Sequence, residues 1–278
     1  YDFLIRNNYS RDCVIFGVGG GITCDMTGFI ASTFLRGVNF VLVPTTLLAQ
    51  VDASIGGKTG VNHKGFKNMI GTFNQPVQVI IDTKFLKSLS KLEIQCGLME
   101  VIKHGLISDK SFFVWLEKNL KEILSLKTQF IERAIKRSIE IKADVVSKDE
   151  KENGLRAILN FGHTFGHALE TIGNNKLYTH GEAVALGMLA ATKLSESISD
   201  LDPEVFDRVH STIKNTGIKV KLKKKIVPKK LITLMQSDKK KNNSQLKFIL
   251  LDKIGKAKIK SVSNEATIEN AIKNSLFY

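Results

Sequence analysis

The sequence predicts an α/β portion over residues 1–88 followed by a mainly α-helical portion over residues 89–278. Three observations carry this. Short apolar runs at residues 13–17, 39–43 and 77–82 alternate with glycine-rich and polar connections. The first run leads through Gly17-Val-Gly19-Gly20-Gly21 into apolar positions at helical spacing, Met26, Phe29, Ile30 and Phe34. After Phe85 the pattern changes to long helical stretches at 91–107, 111–125, 128–147, 163–173, 181–198 and 203–215.

Residues 13–17 are expected as a short buried strand closed by glycine. A strand, a glycine turn and a helix start make a phosphate cradle, because free backbone N–H groups and the helix dipole face an anion. The spacing does not match Gly-x-Gly-x-x-Gly cleanly, and a plain strand–helix turn uses glycine too. Residues 39–43 are a second strand, closed by Pro44-Thr45-Thr46. A helical or irregular stretch then carries Gln50, Asp52 and Ser54, ahead of Gly56-Gly57-Lys58-Thr59-Gly60. That run resembles the end of a P-loop, but residue 52, where the motif needs its first glycine, is Asp. Lysines on glycine-rich loops beside Asn and Asp suit a polar sugar-like or phosphorylated ligand, or are surface lysines. Residues 77–82 are a third strand.

In the helical portion, Glu100 and Lys103 lie one turn apart on one face, either as an exposed ion pair or as a carboxylate and cation in a cleft. The densest window runs from Arg156 through Asn160, His163 and His167 to His180-Gly181-Glu182. His163 and His167 are four apart, so a helix projects both rings from one face, as a metal pair requires. So many polar groups in one short window are costly unless they share a buried site. The window reads as a metal-centred active site. Residues 246–251 are a candidate late strand, following Asp238-Lys239-Lys240.

With 278 residues and 43% apolar content the chain can bury a substantial core. The net charge of +14 and pI of 9.6 point to anionic partners. The excess lysines cluster at 219–230 and 239–241 without interleaved aromatic residues, so a solvated face is expected there rather than a nucleic-acid surface. Three scattered cysteines form no disulfide framework and point to a reducing, cytoplasmic setting. No apolar run approaches the ~20 residues that span a bilayer, so no membrane partner is expected. Three strands precede the helices where a doubly wound sheet has about six, so about half a sheet is expected before residue 1.

Together these segments resemble the 3-dehydroquinate synthase family over nearly the whole chain. The motifs are the glycine turn ending in Asp25, Arg36-Gly37, Pro44-Thr45-Thr46, Asp52 to Lys58, Lys67-Asn68, Glu100-Val-Ile-Lys103, Asn160 to His167, His180-Gly-Glu and Asp238-Lys239-Lys240. The resemblance implies a partial Rossmann-like NAD-binding domain and then a mainly helical metal- and substrate-binding domain. It also implies conversion of 3-deoxy-D-arabino-heptulosonate 7-phosphate to 3-dehydroquinate and phosphate, with NAD and a divalent metal, zinc or cobalt, as cofactors. It implies Glu100, His163 and His180 as metal ligands, replacing the His163–His167 pair that spacing alone proposes, with His167 beside the substrate. Arg36, Asp52, Lys58, Asn68, Lys103, Lys142, Arg156, Asn160, His167 and Lys239 or Lys240 are implied around the anionic sugar phosphate. Catalytic roles fall to His167, Lys103, Asp52, Lys58, Asn160 and Arg156. For NAD the matching positions are Gly20, Gly21, Ile22, Asp25, Thr45, Thr46, Lys58, Lys67, Phe85, Leu86, Lys87 and Ser88. A homodimer is the state common in the family. The family's N-terminal part supplies contacts to the cofactor's adenosine half, so weak NAD binding is expected of the chain by itself. Three positions depart from the usual pattern: Phe66 for Gly, His104 for Tyr and Ala53 for Ser. Sister sugar-phosphate cyclases, a metal-dependent polyol dehydrogenase and, remotely, a basic nucleic-acid-binding protein are the alternatives.

Overall fold

The computed structural model describes residues 1–64, 66–174, 176–238 and 246–276, without the side chains of residues 66–68, 237 and 238. Lys67 and Asn68 are therefore placed by backbone only, and Lys239 and Lys240 lie outside the described residues.

A short helix α1 (Asp2–Arg6) precedes β1 (Val14–Gly19), which turns through Gly20 into α2 (Gly21–Thr33). Strand β2 (Asn39–Pro44) pairs in parallel with β1 from Val14↔Asn39 to Gly19↔Pro44, and on its other side with β5 (Gln78–Val79). The sheet order is β1-β2-β5. The third expected strand is thus shorter than residues 77–82. Strand β1 also departs from expectation: Val14, Phe16 and Val18 are exposed. Gly17 and Gly19 face Thr27 and Thr23 of α2, so the alternate side chains Val14, Phe16 and Val18 stand on the opposite face of the sheet.

Between β2 and β5 the chain makes a π-helical turn (Ala49–Ala53) and an antiparallel hairpin of β3 (Lys58–His63) and β4 (Phe66–Phe73). The hairpin replaces the loop expected around Lys58. Its Gly, Asn and Lys content is poor in β formers, and packing against α2 supplies what propensity does not. Thr59 and Thr72 hydrogen-bond across the pair at 2.7 Å, and Thr72 donates to Ser32 of α2 at 2.8 Å.

The helical part matches its periodicities closely. It comprises α3 (Lys91–Ser108), α4 (Lys110–Leu124), α5 (Thr128–Lys148), α6 (His163–Ile172), α7 (His180–Ser199) and α8 (Glu204–Asn215). Then come α9 (Pro228–Asp238), the hairpin β6 (Leu246–Lys253) with β7 (Lys256–Val262), and α10 (Glu265–Leu276). α9, β7 and α10 were not foreseen. Helices α3 and α7 are buried almost all round, so they form the axis of one large core. A smaller core around Cys24, Phe34, Phe40 and Leu42 holds α2 on the sheet. No helix among the described residues is long and apolar enough to cross a membrane.

Candidate metal centre and anion pocket

Two capping boxes set the helices that matter. Ser90 and Glu93 close the start of α3, and Thr179 and Glu182 close the start of α7, each side chain satisfying the other residue's backbone N–H. The second box places His180 in the first turn of α7. Lys223 braces it, its Nζ reaching Glu182 at 2.7 Å and the Leu177 carbonyl at 2.9 Å. One lysine of the run expected to be solvated is therefore structural.

Glycine allows these helices to meet. A Cβ on Gly181 would lie 2.3 Å from Cys96 Cα on α3, and one on Gly187 would lie 2.0 Å from the Gly162 carbonyl that precedes α6. No larger residue fits either approach. The close packing brings one donor atom each from Glu100, His163 and His180 within 4.8 Å of one another. His163 Nε2 lies 3.8 Å and His180 Nε2 3.4 Å from Glu100 Oε1. Glu100 is fully buried in ion contact with Lys103, and neither of its oxygens makes a well-aligned hydrogen bond. Buried carboxylate oxygens facing two imidazoles fit a divalent cation, and two His with one carboxylate suit zinc with open positions.

His167 is not part of this group. Its ring lies edge-on to His163, centroids 5.4 Å apart, one turn along α6. The His163 and His180 rings are equally far apart, 5.4 Å, but only those two imidazoles join Glu100 in the group whose donor atoms lie within 4.8 Å of one another.

Electrostatics set the charges. Burial pushes Glu100 up, but Lys103, His180 and His163 outweigh it and hold the carboxyl well below its usual range. His163 is pushed down to about 3 by burial and Lys103, so its imidazole is neutral, as a ligand must be. Burial acts downward on His180 too, yet the facing Glu100 and Glu170 carboxylates raise it to about 10. As a metal ligand His180 would give up that proton. His104 is fully buried with neither ring nitrogen hydrogen-bonded, and burial beside Lys103 lowers it to about 3.

Several further cations are held by specific partners, Lys142 nearest the centre through Asp52, which feels the charges of Glu100 and Lys103. Lys142 of α5 donates to the Asp52 carboxylate at 2.5 Å and to its carbonyl at 2.6 Å. Arg156, buried, donates to the Gly56 carbonyl at 2.8 Å and to that of Glu150. The loop before Arg156 is tied by Asp149, which accepts from the N–H groups of Asn153, Gly154 and Arg156 at 2.8–2.9 Å. Asn160 donates to Glu152 at 2.6 Å, and Lys58 pairs with the same carboxylate. Sequence reasoning missed Glu152, Asp149 and Glu170. Only Glu170 left a signal, seven residues after His163 on the same helix stripe. Arg36 is exposed in the short turn that follows α2 and makes none of these contacts.

The nucleotide cradle forms at the other end of α2. Gly20 is its extended N-cap and no side chain caps the helix, leaving N–H groups free. A Cβ on Gly20 would stand 3.2 Å from Thr46, whose hydroxyl caps the following turn at Ala49 N. Thr45 N–H donates to Gly19 O at 2.8 Å, which fixes the strand ends against each other. An uncapped helix start, a small-residue turn and flanking hydroxyls fit a dinucleotide's phosphates. Ile22 and Asp25 follow on α2, Ile22 exposed. Phe85, Lys87 and Ser88 are exposed on a short turn, Thr83–Ser88, whereas Leu86 is turned into the helical core. The Leu86 side chain is thereby removed from the candidate cofactor contacts.

A parallel sheet with a phosphate cradle, joined to a helical body with a His-His-Glu centre, fits an enzyme that takes a nucleotide and a divalent metal, and solved sugar-phosphate cyclases share this fold. The solved structure of 2-epi-5-epi-valiolone synthase from Streptomyces hygroscopicus, with NAD+ and Zn2+ bound, superposes with a TM-score of 0.90 at 26% identity. It matches 98% of this chain and 76% of its own. A 2-deoxy-scyllo-inosose synthase complexed with carbaglucose-6-phosphate, NAD+ and Co2+ gives 0.89 at 27% identity, over 99% and 77%. Residues 1–96 match the family model of the 3-dehydroquinate synthase N-terminal domain and residues 97–241 that of its C-terminal domain. The 3-dehydroquinate synthase of Nitrosomonas europaea is 48% identical over 257 residues, which cover 92% of this chain and 69% of that enzyme. The chain belongs to the 3-dehydroquinate synthase family.

Proposed function

We propose that the chain carries the activity of its family: it is a lyase that turns 3-deoxy-D-arabino-heptulosonate 7-phosphate into 3-dehydroquinate and phosphate, a step of the shikimate pathway. The observation that carries this reading is the convergence of Glu100, His163 and His180 on one centre, with the buried Lys103 in contact with Glu100, on this fold. Glu100, His163 and His180 hold the divalent metal, which when bound supplies Lewis acidity toward substrate hydroxyls. Gly20, Gly21, Thr45 and Thr46 hold NAD, whose reversible hydride acceptance is the cofactor's own chemistry.

The side chains then bind and orient the substrate. Arg156 and Asn160 take the substrate's carboxylate, and Lys58 its phosphate. Lys58 and Asn160 already grip a carboxylate, that of Glu152, so they are competent to hold an anionic group. Lys103 and Lys142, both buried, keep the hydroxyl-bearing face next to the centre positive, and Asp52 orients Lys142. His167 lies one turn from His163, within reach of a substrate seated on the centre. Charge-assisted contacts from several elements fix the sugar in one geometry and expel water. Homodimerisation and a cytoplasmic location complete this reading and rest on the family alone.

The experiment is a substrate panel: phosphate release from the carboxylate-bearing heptulosonate phosphate against glucose 6-phosphate, which lacks the carboxylate. Turnover of the first alone is the expected result. Turnover of the second alone would place the chain with the inosose-type cyclases and remove the roles given to Arg156 and Asn160.

A further inference from the structure

The two imidazoles of the centre are held in the same way by unlike partners. Both turn Nε2 toward Glu100 Oε1. His163 Nδ1 lies 3.3 Å from the Phe161 carbonyl, a neutral acceptor on its own approach turn. His180 Nδ1 lies 3.6 Å from Oε1 of Glu170, a carboxylate in the last turn of α6. Glu170 is buried, 7% exposed, on a helix whose other polar groups on that stripe are His163 and His167. A buried carboxylate is costly unless it is paired. Its position places it behind the second imidazole, so that α6 carries one candidate ligand and the support of the other.

We infer that Glu170 is a positioning residue for the metal centre: its carboxylate accepts the Nδ1–H of His180, holding the tautomer and ring angle that aim Nε2 at a divalent cation. A proton fixed on Nδ1 leaves the Nε2 lone pair free, and the adjacent negative charge makes that lone pair more basic. The asymmetry has a consequence. His163 sits on a rigid carbonyl brace, whereas His180, at a helix start and 32% exposed, depends on a side chain from another element. The inference rests on the reading of Glu100, His163 and His180 as metal ligands.

The test uses the full chain and zinc itself. Zinc affinity is measured by competition with a chelating dye for the wild type, Glu170→Gln, Glu170→Ala and His163→Ala, alongside metal-free melting curves. Cobalt-loaded samples give the visible spectrum of the centre. Glu170→Gln keeps a hydrogen-bond acceptor and loses the charge, so about tenfold weaker zinc binding is expected. Glu170→Ala loses both, with a loss of about a hundredfold. In either variant the cobalt bands should shift, and the metal-free melting curves show that Glu170→Gln is still folded at the temperature of the zinc titration. Wild-type zinc affinity and an unshifted cobalt spectrum in Glu170→Gln and Glu170→Ala, with binding lost in His163→Ala, would overturn the inference and leave the ligand assignment standing. Undiminished binding in His163→Ala would instead overturn the ligand assignment, and the inference with it.

Discussion

Lys142 Nζ grips Asp52 twice, through the carboxylate at 2.5 Å and the main-chain carbonyl at 2.6 Å. Lys142 belongs to α5 of the helical body, and Asp52 to the π-helical turn that follows the sheet's second strand, so the pair fastens the two parts beside the active centre. Burial pushes the Lys142 ammonium down and Asp52 opposes it. Burial pushes Asp52 up and Lys142 wins, holding that carboxyl far below its usual range.

Breaking such a pair leaves one buried charge uncompensated. Lys142→Met is expected to cost about 3–5 kcal/mol in urea unfolding, and Asp52→Asn a similar amount. The double variant should cost less than the sum of the two, because no lone charge remains. Strict additivity would show that the pair contributes nothing as a pair.

The path from sequence to this site was uneven. Helices α3 to α8 were legible because each shows long helical periodicity. The Lys58 hairpin was not, since Gly56-Gly57-Lys58-Thr59-Gly60 reads locally as a loop and becomes a strand only by packing on α2. Helical spacing brought His163 and His167 together, but a metal site is assembled in three dimensions, and its remaining members came from α3 and α7. Glu152 left no trace, because its partner Lys58 is 94 residues away.

Gly187 tests the packing that assembles the centre. A Cβ there would meet the Gly162 carbonyl at 2.0 Å, so α6 and α7 must part. Gly187→Ala is expected to destabilise by about 1–3 kcal/mol and to weaken zinc binding, because His163 and His180 ride on the separated helices. Calorimetric zinc titration beside thermal melting reads both. Unchanged zinc affinity in a destabilised variant would show that ligand spacing does not depend on this contact.

Asp25 carries a pH signature. Burial, with the Asp52 charge adding and Lys142 opposing, raises its carboxyl from 3.8 to about 6. The fold therefore favours the neutral form. The stabilising contribution is complete below pH 3.8 and is lost as the pH rises through about 6. The loss is at most about 3 kcal/mol and smaller through solvent screening, since the residue is only partly buried. Asp25→Asn should thus gain stability relative to the wild type between pH 4 and 7, as followed by urea midpoints. Parallel profiles would contradict this.

Metal binding and stability are linked. Zinc at about a hundred times its dissociation constant adds about 2.7 kcal/mol to a fold that binds it only when native. Zinc should raise the wild-type melting temperature by several degrees, a chelator should reverse the rise, and His163→Ala and Glu100→Gln should show none. A rise retained in His163→Ala would place the metal elsewhere.

The most direct test of the central claim follows phosphate, product mass and absorbance at 340 nm together, with heptulosonate phosphate, NAD at catalytic concentration and zinc. The account predicts 3-dehydroquinate and phosphate in equal amounts, many turnovers per NAD, no accumulating NADH, and loss of all activity on chelation and in His163→Ala. NADH accumulating in step with substrate loss, without phosphate release, would contradict it and make the chain a dehydrogenase.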